Sequence, residues 1–267
     1  MKFFSLISGL LLITGYSFAQ YDYGYGNDKE HIQKAGVRSL SIYYFTTESD
    51  SILTHVNTYD RHGCRVSTRM LGSDGIVSRA DTFIYDSNHL LSRQIAFSNG
   101  RLYYESVFTY NPSGKLLTQR VQGDSVNYYT GIVYDEAGRS LTSTGYDNRS
   151  ADTTVVQSFF DENDLLIKSI VSSKQTGTSV YTRNYNARGK LVKIRRVDSG
   201  NGSQQLTTYN YNKKGENDEV INTITSKKQK TVNKTFYTRY PDGLSFEKTG
   251  YMNNKPLGVE RTYYSYY

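Results

Sequence analysis

The 267-residue sequence has no Trp, three Pro and a single cysteine, Cys64. One thiol excludes an intramolecular disulfide framework and any zinc site built from several cysteines. Long hydrophobic runs are equally scarce. The stretch at residues 3–13 (FFSLISGLLLI) is about half of the roughly 20 apolar residues that a helix needs to cross a bilayer. There is no G-x-S-x-G elbow, no H-E-x-x-H pair and no G-x-x-x-x-G-K-[ST] loop, so no catalytic or phosphate-binding motif nominates a residue.

What the chain has in excess is tyrosine, 26 residues of it, with 11 Phe and a formal charge of +7. So many aromatics at a mean hydropathy of -0.61 exclude disorder throughout and indicate a folded, water-compatible chain. The length suits one large domain or two small ones. Met1 and Lys2, the apolar run and Ser17-Phe18-Ala19 have the order of a secretory signal peptide over residues 1–19, cut between Ala19 and Gln20. Residues 20–36, polar and rich in Gly and Tyr, read as a flexible leader. The domain proper is expected over 37–267.

An internal repeat organises that domain. An aromatic residue, Asp or Asn, two variable residues and Gly recur at Tyr59–Gly63, Tyr110–Gly114, Tyr134–Gly138, Tyr185–Gly189 and Tyr211–Gly215. Degenerate copies start at Tyr85 and Phe160, where His89 and Asp164 replace Gly, and at Tyr240, where Tyr240-Pro241-Asp242-Gly243 is one residue shorter. The aromatic positions are 26, 25, 24, 26, 25, 26 and 29 residues apart. In such a turn the Asp or Asn side chain accepts backbone N–H groups just ahead of it, and Gly supplies the positive φ that closes a hairpin with a bulge. Looser turns fall halfway between, as at Gly72–Gly75, Ser98–Gly100 and Asn253-Asn254.

The segments between turns are rich in Tyr, Phe, Val, Ile and Thr, the composition of strands. The expected fold is all-β, an antiparallel meander of about 16 strands in hairpin repeats of about 25 residues, curled or closed into a barrel because a flat sheet would expose two long edges. Leu257–Tyr267 reads as one further strand. Counting back from the motif aromatic, Tyr110, Phe108, Ser106, Tyr104 and Leu102 form the buried face. The wet face is expected to carry Thr109, Val107, Glu105 and Tyr103, and likewise Arg239, Tyr237, Thr235 and Asn233.

These Tyr-Asp, Gly, Leu units resemble the YD repeats of RHS and teneurin-like proteins, whose hairpins coil into a shell. They are also similar to short exported bacterial proteins of unknown function with a porin-like fold. The resemblance spans residues 39–267 and implies architecture. The encapsulating role of large RHS proteins is not implied, since no self-cleaving core segment is present.

Candidate chemistry is sparse. His55, His62 and Cys64 do not have the spacing of a closed zinc site, so no cofactor or metal is expected. Asp60, Asp86, Asp135 and Asp161 should line one sheet edge, but Asn111, Asn186 and Asn212 replace them freely, as a turn allows and an acid catalyst does not. Twelve Lys or Arg face four acids between Arg183 and Lys234. Among them Arg188, Lys190, Lys193, Arg195, Arg196, Lys227, Lys228 and Lys230 form a candidate anion-binding set, with an acidic glycan or another envelope component as partner in preference to nucleic acid.

Four roles are weighed. The preferred one is an exported, non-catalytic binding or structural module of the cell envelope, periplasmic or at the surface. A second is a carbohydrate-binding module using exposed Tyr103, Tyr129 and Tyr237. A third is a hydrolase with a site assembled across strands. The fourth is an outer-membrane barrel, disfavoured because charged residues fall on both faces of the strands.

Overall fold

The computed structural model describes residues 29–267 except 46–49, 124–125, 138, 148–151, 201, 227–228 and 242–243. The signal peptide expected over 1–19, Gly138, Gly243, Lys227 and Lys228 therefore lie outside the described residues. A short helix, α1 (Lys29–Ala35), precedes eighteen strands. They are β1 (Val37–Phe45), β2 (Ser51–Tyr59), β3 (Arg65–Leu71), β4 (Val77–Tyr85), β5 (Leu91–Ser98), β6 (Arg101–Tyr110), β7 (Leu116–Gly123), β8 (Val126–Tyr134) and β9 (Ser140–Asp147). Then come β10 (Asp152–Phe160), β11 (Leu166–Ser173), β12 (Gly177–Tyr185), β13 (Leu191–Asp198), β14 (Gln204–Tyr211), β15 (Asn217–Thr225), β16 (Lys230–Arg239), β17 (Ser245–Met252) and β18 (Lys255–Tyr266).

Each strand pairs antiparallel with its neighbours in sequence, and β18 pairs with β1, so the meander closes into a barrel without edges. The count exceeds sixteen because β1 precedes the first motif strand and β18, the further strand, follows β17 after the turn at Asn253-Asn254. At the closing seam Ile42 faces Thr262 and Leu40 faces Tyr264. Tyr267 fastens it further: its N–H donates to Gly36 O at 3.0 Å, its hydroxyl donates to Tyr59 O, and the Arg61 guanidinium lies 5.6 Å from its ring.

The repeated turns lie on one rim and share one geometry. Asp161 Oδ1 accepts the N–H groups of Asn163 and Leu165, both at 2.9 Å. Asn186 Oδ1 does the same for Arg188 and Lys190, both at 3.0 Å. The fifth residue of the motif has positive φ whether it is Gly63 (72°), His89 (57°), Gly114 (78°) or Asp164 (61°). A bulge falls just before the motif aromatic, as at Thr109/Tyr110 and Asn184/Tyr185. On the opposite rim Asn99-Gly100 and Asn253-Asn254 turn in two residues, both with positive φ, as a twisted hairpin requires.

Motif tyrosines tie successive repeats together. The hydroxyl of Tyr110 donates to Leu91 O at 2.7 Å, Tyr185 to Leu166 O at 2.9 Å and Tyr211 to Leu191 O at 2.8 Å. Tyr85 and Tyr134 make the same bond, to Arg65 O and Leu116 O. Each hydroxyl thus satisfies the first carbonyl of the strand beside its own. Burial drives the Tyr110 hydroxyl up to about 12, and the nearby Asp86 charge adds to that.

Register partners share a face, and the side chains that converge on the concave side are the buried ones: Asn57, Asp81, Ala96, Ser106, Thr130, Ser143, Val156, Ser169 and Tyr181. Apolar packing is concentrated at one place. There Ile32 of α1 enters the motif-side mouth of the barrel and packs with Val37, Leu40, Ile42, Tyr59 and Leu244. Part of the expected leader, residues 29–35, is thus a docked helix; seven residues cannot sustain a helix alone, and the buried Ile32 anchors it.

Two face assignments from the sequence change. Leu102 faces outward, since a bulge lies between Ala96 and Phe97. In β16 the residue that pairs like the motif aromatic is Arg239, not Tyr240: the bulge falls at Thr238/Arg239, and Tyr240 N–H bonds Leu244 O as Asp60 N–H bonds Cys64 O. A shift of one residue inverts the faces. Tyr237, Thr235, Asn233 and Arg239 therefore line the inner wall, and Phe236 and Lys234 the outer. Arg239 also stands in for the missing tyrosine hydroxyl, its Nη2 donating to Asn217 O at 3.2 Å.

Candidate binding surfaces of the barrel wall

The inner wall carries charge in ordered pairs. On β4, Arg79 makes two bonds to Asp81, at 3.0 and 3.2 Å, and a third to the Tyr104 hydroxyl at 2.9 Å; Gln94 donates to the same hydroxyl at 3.1 Å. On β13, Arg196 donates to Asp198 at 2.7 Å while its guanidinium lies 5.5 Å from the Tyr181 ring centroid. Asp198 also accepts the hydroxyls of Ser179 and Ser203, at 2.5 and 2.8 Å. Burial pushes the Asp198 carboxyl up, but the bonds from Ser179, Ser203 and Arg196 outweigh it and hold it below the usual carboxylate range. Lys248 and Glu260 pair at 2.9 Å halfway along their strands, with 30% of each side chain exposed, so solvent reaches the inner wall.

The environment of Arg183 differs from that of these three cations. Arg183 on β12 donates from Nη1 to Ser169 Oγ at 3.0 Å, and Tyr181, Tyr185 and Tyr209 surround it. Burial lowers its guanidinium from the usual range, partly countered by those tyrosines.

The candidate anion-binding residues do not converge. Arg188 and Lys190 sit at a motif turn, where Lys190 Nζ bonds Gly215 O and lies 5.5 Å from the Tyr211 ring centroid. Lys193 and Arg195 are exposed on the outer wall of β13, whereas Arg196 points inward to Asp198. Lys230 begins β16 on the opposite rim. The six that are described are close in sequence but divided between two rims and two faces.

Asp60, Asp86, Asp135 and Asp161 do line the motif rim, with Oδ1 bound to backbone N–H groups of their own turns. The Asp135 carboxyl is held low, first by the Arg139 N–H and then by the Arg139 guanidinium, against the opposing effect of burial. Among the described residues no three His, Cys, Asp or Glu side chains are grouped to hold a metal. His62 instead stacks on His89 of the next turn, ring centroids 4.1 Å apart, and Cys64 is buried.

On the outer wall Tyr129 and Tyr146 are register partners, 49% and 46% exposed. Tyr103 does not share that wall: it is the extra residue of the bulge opposite Ala96/Phe97, and its ring lies beside that of the inner-wall Tyr104, centroids 5.5 Å apart. Tyr146 was invisible to the sequence reading because its neighbour across the ladder depends on register. A concavity of about 360 Å³ lies across the seam, lined by Ser39, Ser41, Tyr43, Phe45, Ser51 and Tyr263 among others. The outer wall also bears charge, with Arg93 bonded to Glu105 at 2.5 Å and Arg261 to Glu247 at 3.0 Å. Among the described residues no helix is long and apolar enough to cross a membrane.

No protein-family model matches the chain, and no curated protein matches it in sequence. Solved structures similar to it include a porin-like protein from Bacteroides uniformis, at 9% identity and TM-score 0.42, covering 86% of this chain and 98% of that one. A porin-like protein from Bacteroides vulgatus matches at 12% identity and TM-score 0.34, with the same coverages of 86% and 98%. The TcdB2-TccC3-Cdc42 structure matches at 12% identity and TM-score 0.36, covering 82% of this chain but 14% of that chain.

Proposed function

We propose that the protein is an exported, non-catalytic binding module of the cell envelope, a water-soluble barrel that offers its inner wall to a ligand. The observation that carries this reading is that both walls bear charged side chains within the strands. On the outer wall Arg93, Glu105, Lys193, Arg195, Lys234, Glu247 and Arg261 would interrupt any lipid-facing band, each Arg or Lys at the bilayer midplane costing about 2–4 kcal/mol. A ring of eighteen strands is wide enough to admit water, and the inner wall combines tyrosines, amides and guanidinium groups, a surface suited to a polar ligand. The carboxyls with displaced titration, Asp135 and Asp198, are shifted downward, the opposite of what a general acid needs. The export signal over 1–19 supplies the location.

A second reading, carbohydrate binding on the outer wall, is favoured by the exposed Tyr129 and Tyr146 pair, whose adjacent rings form a platform on which a sugar can stack. Purification without detergent, followed by exposure to an array of acidic and neutral glycans, tests the proposal. The expected result is a monodisperse protein that retains glycans and releases no new reducing ends. A chain that stays dispersed only in detergent would contradict it in favour of an outer-membrane barrel, and new reducing ends would contradict the non-catalytic role.

A further inference from the structure

The inner-wall cations differ in what they face. Arg79, Arg196 and Lys248 each have a carboxylate within 3.0 Å. Arg183, half-buried on the same wall, has a hydroxyl, Ser169 Oγ, at 3.0 Å. A guanidinium carries five N–H donors in a planar fork, and this one uses one of them on a neutral acceptor. Taking a cation out of water without an opposite charge is destabilising, and such a group marks a place where an anion would be held.

The surroundings define the anion further. Tyr181 and Tyr185 lie two residues either side of Arg183 on the same face of β12, so their rings flank it. Tyr185 is fixed by its bond to Leu166 O, and Tyr181 by the Arg196 guanidinium on its ring. From Arg183 one register row continues through Ile194, Thr207, Asn222 and Asn233 on β13 to β16. Four strand spacings make that row about 19 Å long. Asn222 Oδ1 and Asn233 Oδ1 are buried acceptors to which, among the described residues, no donor is bonded, and such groups are matched by hydroxyl donors.

We propose that Arg183 anchors an acidic-sugar site on the inner wall, its guanidinium pairing with the carboxylate of a hexuronate unit between Tyr181 and Tyr185, and Thr207, Asn222 and Asn233 meeting hydroxyls of the following units. This deepens the binding-module reading and rests on it. A planar carboxylate fits the guanidinium fork in two parallel bonds, which an ammonium cannot reproduce.

Calorimetric titration of the exported chain with a hexuronate oligosaccharide and with the neutral hexose oligosaccharide of the same linkage tests the site. The wild-type chain should prefer the hexuronate by about tenfold or more, the effect of two charge-assisted bonds. Arg183→Met should abolish that preference while raising the melting temperature of the ligand-free chain by about 2–4 °C, because an uncompensated charge has gone. Arg188→Gln, on the exposed motif turn, should leave it unchanged. If Arg183→Met does not fold, Arg183→Lys decides, since it keeps the charge but loses the fork: a drop of about fivefold or more supports the site, and undiminished affinity overturns it. Retained preference in Arg183→Met overturns the site but leaves the binding module standing. Binding of neither oligosaccharide by the wild-type chain overturns the site, and an array on which no glycan is retained removes the module reading with it.

Discussion

Deletion of residues 255–267 is expected to turn a monodisperse protein into an aggregating one. β18 is bonded on both sides, to β17 and to β1, so its loss removes two ladders at once. It also leaves β1 and β17 as open edges whose unpaired N–H and C=O groups invite pairing with other copies. Tyr264, which packs against the mouth cluster, and the bonds of Tyr267 to Gly36 and Tyr59 are lost with it. Net contributions of about 1 kcal/mol for each ladder bond bring the total to the order of 10 kcal/mol, comparable with the whole stability of a domain. Size-exclusion chromatography with light scattering reads the outcome. A truncated chain that elutes as a monomer and melts like the parent would mean that the ring is not held together at this seam.

Leu40→Ala should cost about 3 kcal/mol, within the range of 2–5 found for buried leucines, and lower the melting temperature by roughly 6–12 °C. Leu40 is fully buried beneath Ile32 and beside Ile42, Tyr59 and Leu244. No wide barrel can fill its middle with side chains, so apolar packing is concentrated where α1 occupies the mouth. Val107, 42% exposed on the outer wall, provides the contrast: truncating it to Ala should change stability by about 0.5 kcal/mol. Urea denaturation of both variants checks this, and equal losses would show that the mouth cluster is not the principal core.

The turns were legible because their chemistry is local. A carboxylate or amide that binds the N–H groups two and four residues on, and a residue with positive φ after it, leave a fixed spacing in the sequence, and Asp161 and Asn186 show the two interchangeable forms. Closure is different in kind. The pairing of Val37–Phe45 with the strand ending at Tyr266 joins segments more than 200 residues apart, and no local pattern records it; only the cost of free edges argued for it.

Where the sequence reading missed, a single residue of register was at stake. Tyr240 has the look of the motif aromatic, yet it occupies the Asp position, with Pro241 next to it, and Arg239 does the aromatic's bonding. That offset moved Tyr237 from the wet face to the inner wall. The basic set dissolved for a related reason. Arg195 and Arg196 are adjacent in the chain and therefore on opposite walls of the barrel, so density of charge along the sequence did not become density in space. For Arg183, the cation that the candidate site rests on, the sequence shows a charge between Tyr181 and Tyr185; that among the described residues its bonded partner is the Ser169 hydroxyl and not a carboxylate is visible only in three dimensions.

The central claim is the closed ring, and one crosslink tests it most directly. Ser39 on β1 and Ser265 on β18 are register partners whose hydroxyl oxygens lie 2.7 Å apart across the seam. Replacing both with cysteine should, on mild oxidation, give an intramolecular disulfide in nearly every molecule, since facing residues of an antiparallel pair fall within the Cα separation of about 4.4–6.8 Å that a disulfide spans. Peptide mapping that recovers free thiols at both positions, or only crosslinks between molecules, would show that β1 and β18 do not meet and that the sheet is open.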